Sequence, residues 1–264
     1  MSVVFNLKDL DEKTSKKIAK ALTFLPKAPP QYQKVQKFQG SQEPIRMYYT
    51  GGGVTRLPYQ FSCLLFKKRF NQDKMFSKIY DDANGKFTGR LLDRQKEPFK
   101  EAISYLKKHN TVTIALYPGF GKTFMGVMLA WYLNKKVCVL VHRDNVGKQW
   151  VKSFKQYFSG LEDEHIWFVD DKLKENAKIL VCMDGRTDKI PTSMRDDIGT
   201  LIIDEAHCFC SPSKVKPLLA FSPKYVIAET ATPKKDNGME KVIQSICGYH
   251  YIQTLLFFHS SNKY

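Results

Sequence analysis

The chain is 264 residues long with 43% hydrophobic and 13% aromatic content, ordinary for a soluble globular protein and enough for one large core plus a smaller appendage. Its formal charge is +16 at pH 7, and residues 1–90 hold 17 Lys/Arg against 7 Asp/Glu, so the positive excess gathers toward one end and suggests a polyanionic partner, nucleic acid above all. With no apolar run near the ~18 residues of a membrane span, no apolar signal core in Met1–Leu10 and no Cys-x-x-Cys pair among six cysteines, a membrane protein and a zinc ribbon are excluded; a soluble, intracellular protein with core thiols is expected.

Residues 11–25 predict a basic amphipathic helix, with Ile18, Leu22 and Leu25 on one side and Lys13, Lys16, Lys17 and Lys20 elsewhere. Pro26, Pro29 and Pro30 stop it, and a Gln-rich linker runs to Gln42. A strand at Met47–Tyr49, a Gly51-Gly52-Gly53 turn and a mixed apolar and basic run to Phe70 follow, with Asn84-Gly85 marking a further turn. The pattern then changes. Helices are expected at 93–108, Thr123–Leu133, Asn145–Phe158 and near Met239–Cys247, and strands at Val112–Leu116, Val137–Val141, Ile166–Val169, Ile179–Met183, Leu201–Ile203 and Tyr225–Ala228. Continuous apolar strands separated by helices imply a parallel sheet covered on both faces, a doubly wound α/β fold. The expected divisions are a basic helix and linker (1–43), a small basic N-terminal module (44–87), the α/β domain (88–253) and a tail (254–264).

Three segments carry chemistry. The first, Tyr117-Pro118-Gly119-Phe120-Gly121-Lys122-Thr123, lies between a strand and a helix. Glycines there let backbone N–H groups converge on phosphate oxygens, and the following helix directs its positive end at them. Lys122 would reach the β/γ-phosphates of ATP and Thr123 would ligate Mg²⁺. Leu116 stands where the general loop pattern has its first glycine. The second segment, Asp204-Glu205-Ala206-His207, ends the apolar run Leu201–Ile203, at the carboxyl edge of a parallel sheet where ligands bind. Asp204 would hold Mg²⁺ and Glu205 would orient and deprotonate the attacking water. The third, Thr230-Ala231-Thr232-Pro233, follows another strand, and its hydroxyls could couple to His207.

In this order the three segments resemble the first RecA-like domain of superfamily 2 helicases, the DEAH-lettered, XPB/RadD-like branch in particular. The resemblance covers residues 44–253. It assigns Leu91–Glu97 to the element before the phosphate loop, with Gln95 reading adenine. It assigns 139–150 to the segment touching a bound strand's backbone, with His142, Arg143 and Gln149 as contacts; His142 stands where the family usually has Pro. Thr230 to Pro233, with Lys234 and Lys235, resembles motif III. The phosphate loop, the Thr-Ala-Thr-Pro segment and Val54–Tyr59 are similar to helicases of large nucleocytoplasmic DNA viruses, including the poxvirus-type transcript-release ATPase. That likeness implies a DNA or RNA partner, a link to transcription machinery, and a place in the host cytoplasm or viral factory, nucleus or virion.

Superfamily 2 motors set ATP between two RecA-like domains, and the second supplies arginine fingers. No Gln-x-x-Gly-Arg-x-x-Arg segment occurs here, and Leu255–Asn262 does not resemble the opening of a second such domain. A finger is worth roughly 10³–10⁵ in rate, so weak hydrolysis is expected from the chain alone, with a second RecA-like domain on another chain as partner. The alternative is a non-motor nucleic-acid-binding or transcription-regulatory module that uses ATP as a structural ligand. Lys67-Lys68-Arg69 between Phe66 and Phe70 would then bind strands by phosphate contact and stacking.

Overall fold

The computed structural model describes residues 2–25, 43–70, 73–81, 85–232 and 240–253. Its first part holds β1 (Ser2–Asn6), α1 (Glu12–Ala21), β2 (Thr23–Phe24), β3 (Ile45–Arg46), β4 (Tyr49–Gly51), β5 (Val54–Pro58), α2 (Tyr59–Phe66) and β6 (Lys86–Phe87). The second holds α3 (Asp93–His109), β7 (Thr111–Ala115), α4 (Lys122–Leu133), β8 (Val137–Val141), α5 (Asp144–Tyr157), β9 (Phe158–Ser159), β10 (Ile166–Phe168) and β11 (Ile179–Met183). It continues through α6 (Thr192–Asp196), β12 (Thr200–Ile203), α7 (Pro212–Leu219), β13 (Tyr225–Thr230), α8 (Glu240–Cys247) and β14 (Tyr251–Gln253).

Seven strands form one sheet in the order β10-β11-β8-β12-β13-β7-β14, every pairing parallel. The apolar runs force this arrangement: all five residues of β8 and all four of β12 are buried, so both faces must be covered. On one face Val112, Val139, Ile202 and Ile227 pack under Phe99 and Leu106 of α3, Met125 and Leu129 of α4, and Trp150 and Phe154 of α5. Truncating a fully buried aromatic such as Trp150 to Ala would cost roughly 3–5 kcal/mol. The doubly wound α/β fold is the one the alternation predicts.

The other face carries the N-terminal elements. Val3, Ile18, Leu22, Ile45, Met47, Leu57 and Tyr59 share one apolar cluster with Leu140, Leu201, Ile203, Val226 and Ala228 of the sheet. The Ser2 N–H donates to Phe221 O at 2.8 Å and its hydroxyl to Leu219 O at 3.0 Å. Gln60 Nε2 donates to Thr111 Oγ1 at 2.9 Å, which donates to Cys247 O at 2.9 Å, tying α2 to β7 and α8.

Several local expectations change. The first helix is shorter, because Asp11 caps it and the chain turns into β2 after Leu22. The strand expected at Met47–Tyr49 is split into β3 and β4, with Met47 buried between them. Phe66 and Phe70 meet edge-on at 6.2 Å, and Phe5 lies 4.8 Å from Phe66, so these rings are engaged with one another. Arg69 donates to Asn110 Oδ1 at 2.6 Å and caps the end of α3. The two rings are thus built into the fold, which takes away the stacking platform, while Lys67, Lys68 and Arg69 stay exposed. Strands β1 and β14 and helix α7 were not expected. The stretches 26–42 and 254–264, with Asn84, Pro233, Lys234, Lys235 and Met239, lie outside the described residues.

Candidate functional site

The loop after β7 and the loops after β12 and β13 lie at the carboxyl edge of three contiguous strands, because β13 pairs with both β12 and β7. Gly119 and Gly121 take φ of +80° and +97°, backbone that L side chains resist. A Cβ at Gly121 would collide with Gln95 Nε2. Phe120 between them is buried, and its ring anchors the loop in the core, leaving Pro118 and Gly119 exposed. Arg94 Nη2 donates to Gly119 O at 3.3 Å, with its guanidinium over the Phe120 ring at 5.5 Å. Gln95 is buried and spans the same junction: its Oε1 accepts from Leu92 N–H at 2.9 Å and its Nε2 donates to Phe120 O at 2.8 Å. Each end of the amide uses one bond here, which leaves a second N–H and a second lone pair for an adenine edge.

Lys122 opens α4. Its Nζ donates to Leu116 O at 3.2 Å and stands 4.0 Å from Glu205 Oε1. Thr123 follows at the second position of that helix, half-buried. Asp204 is buried, and Trp150 Nε1 donates to its Oδ2 at 2.8 Å. Burial pushes the Asp204 carboxyl up, Glu205 adds to this, and the Trp150 bond and Lys122 oppose it. Glu205 adopts φ of +46°, a left-handed conformation worth about 1 kcal/mol or more of strain for a non-glycine residue. Its Oε2 makes no hydrogen bond of good geometry, although His207 Nδ1 lies 3.2 Å away.

His207 Nδ1 also sits 3.0 Å from Thr230 Oγ1, which accepts from Thr232 N–H at 3.0 Å. The acidic segment and the Thr-Ala-Thr segment are therefore joined through one imidazole. A cleft of 390 Å³ opens beside them, lined in part by His142, Arg143, Asp204, Glu205, His207 and Thr232. Gln149 is exposed farther along α5 and does not line this cleft. At the rim Lys214 Nζ donates to Asp184 Oδ2 at 2.9 Å and lies 2.7 Å from His142 Nδ1. Burial pushes Asp184 up, but hydrogen bonds from Lys214 and His142 outweigh it and hold the carboxyl below its usual range.

These residues fit a nucleoside triphosphate with Mg²⁺. The left-handed glycines keep the loop clear of Cβ atoms, and open space surrounds the position a Gly119 Cβ would take. Lys122 has one carbonyl partner, and Asp204 has only one oxygen anchored by Trp150. Hydroxyl and carboxylate oxygens suit a hard cation that keeps several waters. Among the described residues there is no cluster of three or more His, Cys, Asp or Glu able to enclose a metal. No helix among them is long and apolar enough to cross a membrane.

Three participants escape motif reading. Trp150 holds Asp204 from a helix 54 residues earlier in the chain. Arg94 braces the loop from α3. Glu229 is fully buried in β13, with neither carboxylate oxygen hydrogen-bonded to any described residue. Only an acidic residue inside an otherwise apolar strand could have drawn notice to it.

Comparison with known proteins agrees with this geometry. Protein 161L of invertebrate iridescent virus 6, provisionally named a helicase, is 28% identical over 205 residues, covering 74% of this chain and 46% of the relative. A protein of Escherichia phage T5, named as a probable helicase D10, is 25% identical over 145 residues, covering 55% of this chain and 32% of the relative. The chain thus spans about half or less of the length of these curated relatives. The UvsW helicase of bacteriophage T4 superposes with a TM-score of 0.54 at 18% identity, covering 90% of this chain and 92% of that one. The Sulfolobus solfataricus SWI2/SNF2 ATPase core, solved in complex with dsDNA, gives 0.51 at 18% identity over 62% of this chain and 37% of that one. At such identities these superpositions speak for the fold. The family described as Type III restriction enzyme, res subunit, matches residues 88–235. That stretch takes in all three edge loops and more than half of the chain, so the protein belongs to the ResIII family, the helicase-related ATPase domains of superfamily 2.

Proposed function

We propose that the chain is the ATP-binding half of a superfamily 2 helicase or translocase that acts on DNA or RNA. We place it in the DEAH-lettered, XPB/RadD-like branch, near helicases of large nucleocytoplasmic DNA viruses and their transcription ATPases. The observation that carries the reading is the meeting of Lys122, Glu205 and Trp150-held Asp204 beside a left-handed glycine loop. The loop N–H groups and Lys122 bind the phosphates, while Thr123 and Asp204 would hold Mg²⁺. When bound, that ion neutralises charge on the transferring phosphoryl group. The Glu205 carboxylate takes the proton of the attacking water, while His207 stands 3.2 Å from its Oε2. His207 links that carboxylate to Thr230 and Thr232, so a change at Glu205 reaches the loop after β13. His142 and Arg143 are strand contacts in this reading, and the divisions at 43, 87 and 253 stand as part of it.

The test is steady-state ATP hydrolysis by the purified chain, with and without single-stranded DNA or RNA. Lys122→Ala should lose nucleotide binding. Glu205→Gln should bind ATP yet hydrolyse it roughly 10²–10⁴-fold more slowly. Adding a second RecA-like domain that carries arginine fingers should raise the rate by up to about 10³–10⁵. Full binding by the Lys122→Ala variant, or wild-type turnover by Glu205→Gln, would defeat the proposal.

A further inference from the structure

A second pocket lies away from the sheet edge, where the β4–β5 hairpin meets α6 and α7. Its volume is 260 Å³, and its polar lining is Tyr49, Arg56, Thr192, Arg195, Asp196 and Lys216. Among the described residues three cations therefore reach it from three separate elements, against a single carboxylate. Tyr49 and Arg56 are cross-strand partners and so share one face of the hairpin. Arg195 Nη2 donates to Thr192 Oγ1 at 3.0 Å, which fixes the guanidinium at the pocket wall. Arg56 Nη1 is buried with no hydrogen-bond partner among the described residues. Native structures rarely leave a buried charged donor unsatisfied, and such an atom asks for an ion or ligand.

Chemistry and size together narrow the occupant. Two guanidinium forks and an ammonium match tetrahedral oxyanions, which planar forks bind through paired N–H donors. The volume falls below the ~300–1,000 Å³ of sites that enclose a whole drug-sized ligand, so it suits one phosphate group of a longer polymer. Arg56 brings to the pocket one cation of the charge-rich first 90 residues, and Arg195 and Lys216 add two from the α/β domain. We propose that this pocket binds a backbone phosphate of the nucleic acid, adding an anchor on the N-terminal hairpin. The proposal rests on the reading of the chain as one that acts on nucleic acid.

The experiment measures affinity of the full chain for a short labelled single strand, and for the matching duplex, across a salt series. Losing one phosphate contact should flatten the slope of log K against log salt by about 0.7 for the single strand and about 0.9 for the duplex. Arg56→Gln and Lys216→Gln should each show this, with affinity for an ATP analogue unchanged. Lys216 is exposed, so its variant reports even if Arg56→Gln folds poorly, and Lys216→Arg should restore the slope. Wild-type slopes in both Gln variants, with wild-type binding intact, would overturn the pocket and leave the helicase-type reading standing. A wild-type chain that binds neither strand at low salt would sink both. Inorganic phosphate serves as the last probe: if it raises the melting temperature of the wild type but not of Arg56→Gln while the slopes stay equal, the site holds a free anion and the backbone assignment is wrong.

Discussion

Glu229 offers a measurement that separates packing from chemistry. Its carboxyl is fully buried beneath α4, with both oxygens unpartnered among the described residues. Burial pushes its pKa well above the usual value, Asp204 and Glu205 add to the shift, and Lys122 opposes it. The native state therefore keeps a proton that the unfolded chain sheds above the ordinary Glu value of 4.5. Because the unfolded state then binds fewer protons, stability is greatest below that value and falls as pH rises toward the native pKa. The loss is about 1.4 kcal/mol per pH unit while one proton separates the two states. Above the ordinary Glu value the wild type should thus lose stability relative to Glu229→Gln as pH rises, because the variant has nothing to titrate at that position. Urea unfolding of both proteins without nucleotide, followed by far-UV circular dichroism at several pH values, gives the difference directly. Stabilities that run parallel for the two proteins across that range would refute the argument, because the carboxyl would then have to be ionised or hydrogen-bonded in the native state.

Further outcomes follow from neighbouring contacts. A Cβ at Gly126 would meet Glu229 Oε1 at 2.5 Å and the Trp150 ring at 2.6 Å, so Gly126→Ala should destabilise by roughly 1–3 kcal/mol through overpacking although alanine favours helices by about 1 kcal/mol; a raised melting temperature would contradict this. Trp150→Phe should weaken Mg²⁺-dependent ATP binding several-fold by freeing Asp204, with Mg²⁺-free nucleotide binding as the control, and equal losses in both would point to general disorder of the loop. His109 and His250 stack at 3.7 Å, and burial lowers both pKa values. As pH falls below the ordinary imidazole value of 6.5, the unfolded chain takes up protons first, so stability should drop with pH and His250→Gln should blunt the drop in a urea titration. An unchanged pH dependence in that variant would rule the pair out.

The readable parts of this sequence are those whose physics is local. Strands β8 and β11 were expected within the bounds observed, because five apolar residues in a row, all buried in β8 and four of them buried in β11, announce a strand covered on both sides. The phosphate loop was legible for a similar reason, since its glycines answer to backbone geometry inside seven residues. Trp150 gave no such sign: an indole on an apolar helix face looks like core, and only the fold reveals Asp204 at its nitrogen. Gln95 was noticed through family likeness, yet one of the two backbone groups that it bridges, the Phe120 carbonyl, lies 25 residues away. Strand β14 escaped because three residues carry too little pattern, and its identity comes from pairing with β7. The phosphate pocket assembles from hairpin, α6 and α7, no two of which share a local motif.

The bonds from Ser2 to Leu219 and Phe221 have a consequence for synthesis. The separation is 217 and 219 residues, so the first strand is made long before the groups that receive it exist. At ~5–20 residues per second that wait is on the order of 10–40 s. Through its first part, until β5 and the central strands are made, the apolar faces of Val3, Ile18 and Leu22 have no sheet to cover, and the charged face of α1 helps to keep that stretch in solution. The lysines along α1 therefore serve a protein that is not yet finished as much as one that is.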